Sequence, residues 1–141
     1  MGKARVRKSG ALFLPYLTKG IMNETVLRCA DNSGGKFLRV ISVIGYKGRL
    51  NKIPKASIGQ MVVVSVIKGT PEMRRQIFRA IIVRQKKAYK RSDGRWIRFG
   101  DNAAVIVNPN GDPKGSEIRG AVAKEAAERW PRLSAVASMV V

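Results

Sequence analysis

The chain has 141 residues, 45% of them hydrophobic, which is one domain's worth of sequence with material for one modest core. It carries 28 Lys or Arg against 9 Asp or Glu, a net charge of +19 that argues for a nucleic-acid or anionic-surface partner and says nothing of fold. With no His and a single Cys, Cys29, the usual zinc ligand sets and the Ser-His and Cys-His nucleophilic pairs are missing, so neither catalysis nor a metal or cofactor is expected.

Taken in order, residues 1–23 contain no acid and crowd Lys3, Arg5, Arg7 and Lys8 into the first ten positions. They read as a basic N-terminal arm; Gly10 and Pro15 interrupt any presequence-like amphipathic helix, and the segment 11–17 is too short for a secretory core. No apolar run approaches the roughly 18 residues of a spanning helix, so a soluble chain without a membrane partner is expected. Residues 25–30 read as a strand, followed by the turn formers Asp31, Asn32, Ser33, Gly34 and Gly35. A strand over 36–44 follows, not the helix a phosphate loop would open.

The loop 45–57 carries Lys47, Arg49, Lys52 and Lys55 without an acid and is longer than most connections, which marks it as a candidate functional loop. Residues 60–68 and 76–84 are β-branched strands bounded by Gly59, Gly69 and Pro71, with Arg74 and Arg75 on the loop between them. From 84 to 98 come seven cations, Arg84, Lys86, Lys87, Lys90, Arg91, Arg95 and Arg98, against Asp93 alone. Asp93-Gly94 between alternating segments predicts a basic hairpin over 84–99. A two-residue turn there sets Arg91 opposite Trp96 and Tyr89 opposite Arg98, a guanidinium and aromatic face suited to RNA. The strand 102–107 closes on a strong turn at 108–113. Several short strands between Gly and Pro turns predict a mainly β fold, a small closed barrel over 24–141. The segment 117–141 is expected to be the helical C-terminal part, with a helix over 122–130 stopped by Pro131. Its apolar tail, 135–141, would cover one mouth of the barrel or serve a partner.

The hairpin region also carries a resemblance. Ala80-Ile81-Ile82-Val83, nine residues, Asp93-Gly94, four residues, Phe99, two residues, Asn102, two residues and Val105-Ile106 is similar to the signature of large-subunit ribosomal protein fourteen. This is the universal family called twenty-three in older eukaryotic naming. The turn 30–34 resembles that family's first turn, and Trp130-Pro131-Arg132 is closer to its archaeal and eukaryotic branch. Covering residues 24–133, the resemblance implies a five-stranded barrel with a projecting β-ribbon and a short helical end, in a cytoplasmic ribosome. It further implies a place on the subunit-joining face near ribosomal proteins three and twenty-four, a bridge to small-subunit rRNA, and docking of the anti-association factor, initiation factor six.

Two functions from different classes follow. One is a structural constituent folded onto large-subunit rRNA through Arg5, Arg7, Lys8, the cations of the 45–57 loop, Arg74, Arg75 and the hairpin with Tyr89 and Trp96. In it the outward helix residues Lys124, Glu125, Glu128 and Arg129 take protein contacts. The other is a free-standing OB-like single-strand binder or translation factor. The few aromatics, and cations placed on loops rather than on a sheet face, favour the first.

Overall fold

The computed structural model describes residues 17–141. A short β1 (Ile21–Met22) precedes β2 (Val26–Cys29) and β3 (Gly35–Val43); the long loop then holds β4 (Lys55–Ala56) before β5 (Met61–Gly69) and β6 (Ile77–Arg84). The ribbon is β7 (Tyr89–Lys90) and β8 (Trp96–Ile97), after which β9 (Ala103–Val107) re-enters the body. The C-terminal part is β10 (Ile118–Val122), α1 (Lys124–Arg129), α2 (Pro131–Val136) and β11 (Ala137–Val140).

Five strands close a barrel in the order β2-β3-β5-β6-β9. Closure runs through a parallel pair, Arg28 to Ala103 and Cys29 to Ala104, while the other neighbours are antiparallel. Register shifts along β3 and β5 supply the curl that closing so few strands requires. At one end the strands come so close that a Cβ on Gly69 would lie 2.7 Å from the Gly34 carbonyl oxygen. Only glycine fits there.

The near-continuous apolar runs explain the rest of the packing. All five residues of β9 and Ala80–Val83 of β6 are buried, so these strands need cover on both faces. Side chains filling the barrel give one cover; Ile118, Val122, Ala126 and Leu133 of the C-terminal part join the same buried cluster and give the other. The described end of the N-terminal arm also packs on the body, with Leu17 and Ile21 buried and β1 paired to β4.

The expected strands stand within a residue or so of their predicted bounds, and three details differ. The ribbon turn holds three residues, not two: the Gly94 amide donates to the Arg91 carbonyl (2.9 Å), the Arg91 amide donates to the Arg95 carbonyl (2.8 Å), and Gly94 takes φ +90°. Pairing therefore runs Tyr89 to Ile97 and Lys90 to Trp96, one residue off the two-residue register, which moves Trp96 away from Arg91. The predicted helix over 122–130 shortens to α1, and Pro131 starts a second helix as its first residue, where its missing N–H costs nothing. Finally, the tail forms β11, parallel to β10 and largely exposed, instead of lying across the barrel.

Candidate nucleic-acid interface

The ribbon leaves the barrel at Arg84, and its base is locked from several sides. Arg84 forks onto Asp101 (3.0 and 3.3 Å) and donates to the carbonyls of Arg119 (3.1 Å) and Ala121 (3.0 Å), tying β6 to β10. The buried Gln85 side-chain amide donates to the carbonyls of Thr18 (2.8 Å) and Lys87 (3.0 Å), stapling residues 17–20 to the ribbon. The Asn102 side chain accepts from the Lys86 amide (2.8 Å).

Further out, Arg91 donates to the Glu125 carboxylate (2.8 Å) and to the Val141 carbonyl (2.7 Å), and the buried Tyr89 hydroxyl donates to the same carboxylate (2.9 Å). Burial, reinforced by Glu125, pushes the Tyr89 phenol up to about 12. Charge-assisted bonds of this length are the strong kind, and they join ribbon to α1.

The structure thus divides the sequence-predicted residues. Arg84, Tyr89, Arg91 and Glu125 are engaged inside the chain and present little to a partner. Lys86, Lys87, Lys90, Arg95 and Arg98 stand on the ribbon with most of their charge open to solvent, and Trp96 is 66% exposed beside Lys90. Lys47, Arg49, Lys52 and Lys55 lie on a loop that leaves the same end of the barrel, together with Leu50 at 86% exposure. Arg74 and Arg75 are exposed at the opposite end. Arg5, Arg7 and Lys8 lie outside the described residues. On α1, exposed Lys124 and Glu128 pair at 3.7 Å, whereas Arg129 is half-buried with its guanidinium 5.7 Å from the Trp130 ring.

Most of the signature residues turn out to shape the backbone. Ala80–Val83, Val105 and Ile106 fill the core, Gly94 makes the turn, and Asn102 fixes the ribbon base. Buried Asp31 accepts from Cys29 Sγ (2.8 Å), the Ser33 hydroxyl (2.7 Å) and the Ile106 amide (3.1 Å), while Asn32 accepts from the Ser116 amide (2.9 Å). The 30–34 turn is therefore a clamp on the C-terminal part. Lys36, Arg39 and Lys68 stand exposed on β3 and β5, away from the loops, arm and ribbon to which the sequence assigns the RNA-binding cations. Strand alternation around Leu38 and Val40 was the available signal.

A closed five-stranded barrel with a basic ribbon and cationic loops defines a class, the small basic β-barrel proteins. Within that class the chain belongs to the ribosomal protein L14p/L23e family, whose model matches residues 20–141. It is 55% identical over 125 residues to the large ribosomal subunit protein uL14 of Saccharolobus solfataricus, covering 89% of this chain and 91% of that one. Identity to the Thermofilum pendens protein of the same name is 50% over the whole of both chains, and to the Methanococcus vannielii one 56% over 88% of this chain and 94% of that one.

Proposed function

We propose that the chain is a structural constituent of the large ribosomal subunit that binds large-subunit rRNA near the subunit interface, in the cytoplasm. The observation that carries the reading is the crowding of exposed cations with few carboxylate partners at one end of a family barrel. Lys86, Lys87, Lys90, Arg95 and Arg98 of the ribbon face solvent beside Lys47, Arg49, Lys52 and Lys55 of the loop, with Trp96 among them for stacking. Cations so placed neutralise phosphates, and removing any one of them lowers the salt dependence of binding. Arg84, Tyr89 and Arg91 act instead by holding the ribbon in position.

Resemblance to the family supports the finer part of the proposal: a bridge to small-subunit rRNA, neighbours in ribosomal proteins three and twenty-four, and docking of initiation factor six. Exposed Lys124 and Glu128, with the outer edge of Arg129, are the helix residues available to a protein partner. Sucrose-gradient sedimentation in high salt tests the central claim. The protein should stay with the large subunit, and replacing Lys86, Lys87 and Lys90 by Ala should lower the log–log salt slope of rRNA binding by up to about 3. A protein that washes off would be a factor instead. Charge reversal at Lys124 and Glu128 should weaken factor docking and spare incorporation into subunits.

A further inference from the structure

The end of the barrel away from the ribbon holds a second cationic surface. The strand β5 ends at Gly69 opposite Gly35, and β6 begins at Ile77 opposite Ser65, so the turn 70–76 and the start of β3 share that end. The ribbon departs from Arg84, the far end of the eight-residue β6, about 25 Å away at strand rise.

A depression beside the turn is lined by Arg39, Arg74 and Arg75 above the backbone of β5. Its neighbour is lined by Lys36, Lys68 and again Arg74, so the two depressions adjoin at that side chain and form a cationic trough. The adjoining depression is apolar, with Phe37 and Ile67 as its floor and Lys68 at its edge, the ammonium 5.8 Å from the Phe37 ring.

Charge at the trough is nearly uncompensated. Residues 32–71 contain no acid, the one carboxylate on the turn, exposed Glu72, is in none of the ion pairs among the described residues, and those pairs leave Lys36, Lys68, Arg74 and Arg75 without a carboxylate. Arg39 reaches only the exposed Glu24, at 3.9 Å, a pair of little strength. The backbone is also set in advance. Arg75 holds the left-handed φ of +62°, uncommon for a side-chain-bearing residue, and its amide donates to the Val66 carbonyl (3.1 Å), folding the turn back over β5.

We propose that this trough is a second RNA site, taking phosphates on Arg39, Arg74, Arg75 and Lys36 and one unstacked base on Phe37, so that the chain braces two separate RNA segments from opposite ends. The inference rests on the rRNA-binding reading and adds to it a place, a ligand conformation and a bridging role. A cationic rim over an aromatic floor suits a single-stranded stretch or loop; a duplex would offer phosphates without a free base. The β5–β6 hairpin supplies a rigid mount, since β5 pairs on both sides.

The test uses the whole chain and a single-stranded RNA dodecamer carrying 5-iodouridine, with binding followed over a salt series and ultraviolet crosslinks mapped by mass spectrometry. Substituting Arg39, Arg74 and Arg75 together by Ala should lower the log–log slope by about 2 to 3. The ribbon variant, with Ala at 86, 87 and 90, should keep its crosslink at Phe37. Phe37→Leu should abolish that crosslink and barely change the slope. Crosslinks confined to the ribbon, with a slope that only the ribbon variant lowers, would overturn the second site and leave rRNA binding standing. Wild-type binding without salt dependence, together with loss from subunits in high salt, would overturn both.

Discussion

Cys29 shows how a single side chain is set by what surrounds it. Its thiol donates to buried Asp31, and burial, followed by the Asp31 charge, pushes it from the ordinary 9.0 up to about 12. Near pH 8 the ionised fraction is then on the order of 10⁻⁴, and since the thiolate is the nucleophile the residue should be inert in the folded chain. Iodoacetamide at pH 8 is expected to label it in urea and hardly at all without. The same shift has a stability consequence. Above about pH 9 the unfolded chain releases the thiol proton while the folded chain keeps it, so the folded state binds more protons and loses stability as pH rises towards 12. The contribution is complete below pH 9. A Cys29→Ala series of urea midpoints should lack the fall that begins near pH 9 and keep the later one from Tyr89, whose ordinary value is 10.0. An identical fall in both proteins would disconnect Cys29 from it.

At the scale of elements, the barrel strands were legible because their signal is local: β-branched runs between Gly and Pro, with Ala80–Val83 and 103–107 apolar throughout. The ribbon was legible as a hairpin from Asp93-Gly94, but its register was not. Asp93 Oδ1 accepts from the Arg95 amide (2.9 Å), and this local bond favours the three-residue turn over the two-residue one. One residue of slip turns β8 over relative to β7, which is why Ile97 pairs with Tyr89 and Trp96 lies beside Lys90. The short strands β10 and β11 are not legible because each has only five or four residues, with Arg, Gly, Ala or Ser breaking up the β-branched ones, and their partners are set by tertiary contact. Similarly, Glu125 and Arg129 stand four apart as a helical pair would, yet Glu125 is taken by Arg91 from another element. The exposure of Trp96 is checked by fluorescence. A Trp130→Phe variant should emit as a solvent-exposed indole, whereas Trp96→Phe leaves only Trp130, whose indole N–H donates to the Gly59 carbonyl (2.8 Å) and whose ring lies against Gly111. That second variant should emit further to the blue. Reversed emission would put Trp96 in the core.

On the scale of the whole molecule, the question is how a ribbon crowded with like charge keeps its orientation when no RNA neutralises it. Only two residue pairs join β7 to β8, too few for independent stability. The answer lies in Arg91, which reaches Glu125 on α1 and the Val141 carbonyl that also accepts from the Lys124 amide (3.0 Å), while the Val141 amide donates to the Val122 carbonyl (2.9 Å). Ribbon, helix and β10–β11 pair thus share one junction. Breaking it should loosen all three together. Glu125→Ala removes the carboxylate that the Arg91 guanidinium and the Tyr89 hydroxyl share, leaving Arg91 the Val141 carbonyl, in a site where the two charged side chains are 17% and 13% exposed, and should cost about 3 kcal/mol in urea unfolding. Glu128→Ala, removing a pair exposed at 61% on both sides, should cost under about 0.5 kcal/mol. Arg91→Ala supplies the sharper measurement, native-state amide exchange, because local opening reports which segments are coupled. Protection should fall in residues 89–97 and equally in β10 and β11. Arg95→Ala, whose exposed partner Asp93 stands 3.5 Å away, should change neither. If Arg91→Ala released the ribbon alone, the C-terminal part would be an independent unit, and the ribbon's aim would have to be set by RNA.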